Sequence, residues 1–149
     1  MENQTLESNK KIVRQFFEYF SKGDVTQIEN LWGPDYKFHY PGRTNTLGKK
    51  ESQDLIRQYH SAFPDMKFTI EDQIAEGEMV VTRISVSGTH KGDFMGIVPS
   101  NKKISATGIA SHKIQNNKIV EEWTEFDMLG IMKQIGAVPE MAATGKNNK

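Results

Sequence analysis

Asp127 stands four residues after Trp123, with Phe126, Met128 and Leu129 around it in sequence. A carboxyl group in apolar surroundings has its pKa raised, so it can stay protonated near neutrality and serve as a general acid. The competing reading has Asp127 capping a terminal helix by accepting from backbone N–H groups. On the residues alone the cap has the better claim. Four histidines are the other groups suited to moving protons. His39 sits in a short Tyr36–Tyr40 strand beside Pro41, where its ring can face inward. His60, between Tyr59 and Ser61, reads as surface or helix packing, and His90, in Gly88-Thr89-His90-Lys91-Gly92, reads at least as well as a turn residue. His112 lies in the strand that faces Trp123. None of them has HxH, HxxxH or HExxH spacing, which leaves a metal site weakly supported. GxGxxG, P-loop and GxSxG patterns are absent, and the lack of cysteine removes thiol nucleophiles and thiolate metal sites.

The hairpin that carries Trp123 and Asp127 is the candidate pocket wall. Asn116-Asn117 marks a two-residue turn between strands over 103–115 and 118–127. Closing the hairpin there pairs His112 with Glu121, Ala110 with Trp123, Gly108 with Glu125 and Ala106 with Asp127. Side chains alternate along a strand, so these eight share one face. The small Ala106, Gly108 and Ala110 beside Trp123 and Asp127 leave room for a ligand, or the Trp123 ring fills that room; both readings stand. In this register His112 lies about 20 Å along a flat strand from Asp127, too far for direct contact.

The elements that must position these residues change character at Pro64. Before it, Ile12, Val13, Phe16, Phe17 and Phe20 recur at helical spacing over 5–22, ended by Gly23. Asp24 caps a second short helix through Val25, Ile28, Leu31 and Trp32, Pro34-Asp35 is a turn, and a third helix follows over 49–63. After Pro64 the period is two. Strands over 66–76 and 79–90 meet at Gly77-Glu78, which sets Asp72 opposite Arg83 as an ion pair. A last short helix spans 128–136. Helices first and an antiparallel meander after them make an α+β domain. A sheet wrapped over the helices forms an open cone with a pocket between the two layers. Trp123, Asp127, His112 and His39 are expected to line it, with Phe16, Tyr19, Phe20, Trp32 and Tyr59 as apolar walls.

The 149 residues suit one domain over 1–139 with a flexible tail over 140–149. Nineteen Lys and Arg balance 19 Asp and Glu, so the totals carry no footprint for nucleic acid. No apolar run approaches a membrane span and Met1–Lys11 has no signal-peptide core, which points to a cytoplasmic protein with a small-molecule ligand.

Taken in order, Asn9-Lys10 through Gly23-Asp24, His39-Tyr40-Pro41-Gly42, Ala62-Phe63-Pro64-Asp65, the run from Gly88 to Gly96, Gly108-Ile109-Ala110 and Lys118–Trp123 with Asp127 form a specific series. Over residues 9–136 the chain resembles a SnoaL-like polyketide cyclase of the ester cyclase group, in the nuclear transport factor 2-like superfamily. Asn116-Asn117 in place of the usual Asp-Gly turn, and Lys113 where arginine is common, are mild departures. The resemblance implies a cone-shaped α+β fold, a homodimer and an apolar pocket. It also implies ring closure by intramolecular aldol chemistry without metal or cofactor. Asp127 is then the general acid/base, with His112 and His39 as polar pocket residues. Val81, Ile109, Val120 and Phe126 are candidates for the dimer surface on the outer face of the sheet. A non-catalytic binder of an apolar small molecule stays open as the alternative. A ketosteroid-isomerase-like enzyme ranks last, because Gln15 and Tyr40-Pro41 stand where that family has a tyrosine and an Asp-Pro base.

Overall fold

A computed structural model describes residues 2–139. The tail expected to be flexible from Glu140 lies outside the described residues. The chain runs α1 (Glu2–Lys22), α2 (Val25–Leu31), β1 (Trp32–His39), α3 (Lys49–Ala62), β2 (Lys67–Glu76), β3 (Met79–Thr89), β4 (Lys103–Gln115), β5 (Lys118–Phe126) and α4 (Met128–Gln134). Gly23 ends α1 in the left-handed region at φ 69°, where a side chain would be strained. Asp24 then caps α2 by accepting from the Gln27 amide at 3.2 Å. Phe63 closes α3 just before Pro64, whose ring disfavours a helical residue ahead of it.

The five strands form one sheet in the order β1-β5-β4-β3-β2. Four of them are the antiparallel meander, and Asp72 meets Arg83 across β2 and β3 at 2.9 Å. The fifth differs from expectation. β1 begins at Trp32, four residues before the strand read from the sequence, and pairs parallel to β5. Pro34 therefore lies within a strand and not in a turn. An edge position and a register shift between Trp32 and Lys37 accommodate its missing N–H.

One face of the sheet is covered. Val80, Ile84, Val86, Ala110, Ile114 and Ile119 from the strands pack with Val13, Phe16, Phe17, Ile28 and Ile56 from the helices. Aromatic edges fix α1 on the sheet, with Phe17 and Phe20 centred 5.3 and 4.7 Å from Phe68. His60 joins α3 to the end of α1 through the Phe20 and Ser21 carbonyls, at 3.1 and 3.0 Å. No helix among the described residues is long and apolar enough to cross a membrane.

Candidate functional site

The turn of the β4–β5 hairpin is as expected: Asn116 and Asn117 take φ of 51° and 62°, the left-handed pair that a two-residue hairpin of this type needs. Gln115 pairs with Lys118 and Ile114 with Ile119. One step further on, the register shifts. Lys113 pairs with Glu121, His112 with Glu122 and Ser111 with Trp123, leaving Val120 without a partner on β4. Such a bulge displaces the strand by one residue, and a one-residue slip reverses which face every later side chain occupies. Glu122, Thr124 and Phe126 consequently point inward, while Glu121, Trp123 and Glu125 point out. Gly33 on β1 leaves the space for the bulge, since a Cβ there would come within 3.1 Å of the Val120 side chain.

The inward acid is the centre of a polar cluster in an otherwise apolar interior. Glu122 is only 5% exposed. Tyr36 donates to its Oε1 at 2.9 Å and Thr124 to its Oε2 at 2.8 Å. His112, fully buried, holds Nε2 3.2 Å from Oε1, within ion-pair distance but poorly directed for a hydrogen bond. Burial is the largest influence on Glu122 and pushes its carboxyl up. The charge and contact of His112, then the hydrogen bonds from Thr124 and Tyr36, outweigh it and hold the group below the usual carboxylate range. Burial pushes the Tyr36 phenol well up, and the Glu122 charge adds to this, so Tyr36 keeps its proton. The floor is thus an anion held by neutral donors with a histidine behind it.

Several expected site residues lie elsewhere. Asp127 is exposed beyond the end of β5, and its Oδ1 accepts from the Gly130 amide at 2.9 Å as the cap of α4. It lines none of the spaces described below, which corrects the expectation that it faces the pocket. Trp123 and His39 are on the outer face too, their rings stacked at 4.8 Å and 5°. His39 Nε2 sits 2.6 Å from Glu121 Oε2 there. The bulge is the reason for Trp123 and Asp127, because it turns the odd-numbered half of β5 away from the helices; His39 faces out because Tyr36 and Phe38 are the buried positions of β1. Tyr19 is half-buried against the core but lines no cavity, and His112 stands behind Glu122 instead of on the wall. Phe16, Phe20, Trp32 and Tyr59 do line the interior space. The gap beside Ala106, Gly108 and Ala110 is filled by an aromatic ring, but the ring is Phe126: a Cβ on Gly108 would meet it at 2.7 Å. Phe126 is accordingly a cavity residue and not a dimer-surface residue. His90 ties the 90–101 loop together, its Nδ1 accepting from the Ser100 amide at 3.1 Å.

The space between helices and sheet is divided. An inner chamber of about 40 Å³ touches Glu122, Tyr36, Thr124 and Trp32. Beside it, about 30 Å³ lies between Phe63, Met66, Ile104 and Ile131. Each has room for a water molecule but not for an organic ring, which takes on the order of 150 Å³. Outward, a neck of about 140 Å³ is formed by Tyr40, Pro41, Tyr59, Met95, Phe126 and Met128. A vestibule of about 340 Å³ with Arg43, Gln58 and Asp93 on its rim follows. Tyr59 borders all four spaces, and its hydroxyl is bonded to that of Tyr40 at 2.8 Å. Trp32 Nε1 and His112 Nδ1 are buried without a hydrogen-bond partner, the kind of group that water or ligand satisfies. Among the described residues no three His, Asp or Glu side chains converge to hold a metal.

Residues 10–135 match the SnoaL-like polyketide cyclase family. No curated protein matches the chain in sequence. Among solved structures, AclR from Streptomyces galilaeus, described as a candidate hydroxylase, superimposes with a TM-score of 0.84 at 24% identity over 91% of this chain and 89% of its own. TsrD from Streptomyces laurentii gives 0.79 at 26% identity over 89% and 97%. IdmH from Streptomyces antibioticus, described as a candidate polyketide cyclase, gives 0.79 at 26% over 86% and 98%. The α+β fold is that of these structures.

Proposed function

The chain belongs to the SnoaL-like polyketide cyclase family, and from that premise we propose that it closes a ring in an apolar, oxygen-bearing polyketide- or ester-like substrate by intramolecular aldol chemistry, with Glu122 moving the proton. The observation that carries this reading is that Glu122 is the one carboxylate on the wall of the inner chamber among the described residues, and it is held as an anion. An anionic carboxylate in the resting protein is a base. A carbon between two carbonyls is acidic enough for such a base to take its proton, and the substrate itself spreads the resulting charge. The protein then has to fold the chain for attack and return the proton. Tyr36 and Thr124 fix the carboxylate orientation, and His112 supports it from behind as a positioning residue.

Because the inner chamber is small, the reactive carbon reaches Glu122 only when the side chains at the neck turn aside. The same volumes favour the second reading, a non-catalytic binding protein whose ligand stays in the vestibule and neck. A panel of β-polyketone esters separates the two. Wild type should show both binding and turnover, and Glu122→Gln should bind but lose roughly 10²–10⁴-fold in rate, the contribution of one positioned acid–base group. Binding without turnover in wild type supports the binding-protein reading. Full turnover by the Gln variant rules out Glu122 as the base.

The assembly we propose is a homodimer through the outer face of the sheet. Val81, Ser111, Trp123 and His39 form one row across four strands there, and Ile109, 52% exposed, lies in the next row. A self-complementary patch of this kind fits a two-fold pair.

A further inference from the structure

Tyr40 leaves the end of β1 and Tyr59 rises from α3, and their side chains meet over the neck of the cavity. Their hydroxyls are 2.8 Å apart, the one hydrogen bond that either phenol makes among the described residues. A phenol has one proton to give and can also accept. In the pair one hydroxyl donates to the other, and the accepting hydroxyl still carries its own proton. The pair therefore offers one unused O–H donor. Both rings border the inner chamber, the neck and the vestibule. Pro41, Met95, Phe126 and Met128, which complete the neck, bring no side-chain donor. At about 140 Å³ the neck is the size of one six-membered ring, so a ring seated there has this single hydroxyl pair as its polar contact.

We propose that the Tyr40–Tyr59 pair is the oxyanion-binding element of the site, giving its spare proton as a hydrogen bond to a carbonyl oxygen of the ligand and holding it more tightly as charge develops there. The proposal rests on the aldol reading and adds the group that receives the electrons. Glu122 takes a proton from the carbon beside the carbonyl. The C–H electron pair becomes the carbon–carbon double bond of an enolate, and the carbonyl π pair moves onto its oxygen, against the phenols. The enolate carbon then bonds to a second carbonyl carbon, the first C=O re-forms, and the new alkoxide takes the proton back from Glu122. Nothing is oxidised or reduced. A donor aimed at the developing charge in a dry site is the arrangement that lowers such a barrier. Burial, reinforced by the neighbouring Tyr40, pushes the Tyr59 phenol far above its usual range, so it remains a donor at any working pH.

The test needs no knowledge of the natural substrate. 4-Nitrophenolate carries a charged oxygen on a ring that fits the neck, and nitrobenzene has the same ring without that oxygen. Binding of each is measured to wild type, Tyr40→Phe, Tyr59→Phe and the double variant, all of which keep the apolar wall. Removing both hydroxyls should weaken 4-nitrophenolate by roughly 10–100-fold, the effect of losing a hydrogen bond to a charged group. The single variants should fall between, because the remaining phenol can still donate. Nitrobenzene should bind all four proteins alike, showing that the pocket survives. Equal phenolate affinity in wild type and the double variant overturns the proposal, and so does failure of wild type to bind phenolate more tightly than nitrobenzene. Glu122→Gln separates this from the aldol reading. It should bind phenolate no less tightly than wild type, so an unchanged turnover in that variant removes Glu122 as the base while the phenolate result stands or falls alone.

Discussion

Replacing Tyr36 by Phe tests the charge at the floor of the chamber with little else disturbed. Its ring stacks on Trp32 at 4.3 Å and 10°, and a Phe ring keeps that contact. What is lost is the 2.9 Å hydrogen bond to Glu122 Oε1 between two buried side chains. A hydrogen bond to a charged group contributes about 1.5–3 kcal/mol. For a chain of this length that lowers Tm by roughly 3–12 °C. Urea denaturation of Tyr36→Phe, Glu122→Gln and the double variant gives the coupling directly, expected at roughly 1 kcal/mol or more. The dependence on pH has a definite sign. Glu122 has a folded pKa below its unfolded value, so its contribution to stability is complete above the unfolded carboxylate pKa and is lost as pH falls through the folded one. Tyr36 is one of the groups holding that value down. The deficit of Tyr36→Phe should therefore be largest near neutrality and shrink on acidification below about pH 4.3. A deficit under about 0.5 kcal/mol, or one that stays constant with pH, would refute the reasoning.

Asp127→Ala should cost about 1 kcal/mol in chemical denaturation through loss of the α4 cap, whereas Asp127→Asn should cost only a few tenths, since Asn caps nearly as well. Both variants should keep the turnover of wild type on β-polyketone esters, and a large loss in the Asn variant would return the acid role to Asp127. Ile109→Asp, on the outer face, should convert a dimer to a monomer in light scattering without lowering ligand affinity; a wild-type monomer at micromolar concentration counts against the dimer.

Local signals carried most of the fold. The 3.6-residue period of α1, the Asp24 cap, Pro64 and the Gly77-Glu78 turn each act within a few residues, and each holds in the structure. The Asp72–Arg83 pair followed from turn length alone. β1 was less legible because its pairing with β5 joins residues more than 80 apart, and Pro34 argued locally for a turn. The site failed at one place. Counting from the Asn116-Asn117 turn is correct for two pairs and then wrong by one, because nothing in Ile119-Val120-Glu121 announces an extra residue. One signal was present in the chain. Glu121-Glu122 is an acid doublet on an alternating strand, so one of the two must face the core in any register, and a buried carboxylate needs partners. Tyr36 and Thr124 are those partners.

The bulge does more than choose between two glutamates. By turning β5 over at Val120 it decides which acid and which aromatic ring of one short segment face each way. Glu122 and Phe126 meet the chamber, while Glu121 and Trp123 meet His39 outside. Without the inserted residue the inward set would be Glu121 and Trp123, and Phe126 would point out with Glu122, leaving the Trp123 ring to fill the gap beside the small residues of β4. The smaller ring of Phe126 in that gap borders both the chamber that Glu122 lines and the neck. The ring of Trp123, turned outward, joins Val81, Ser111 and His39 in the row proposed to meet a second copy of the chain. The proposed proton chemistry and the proposed assembly face are thus separated by one sheet thickness. A variant at Ile109 or Trp123 reports on assembly and one at Glu122 or Tyr36 on the chamber, with little overlap between the two.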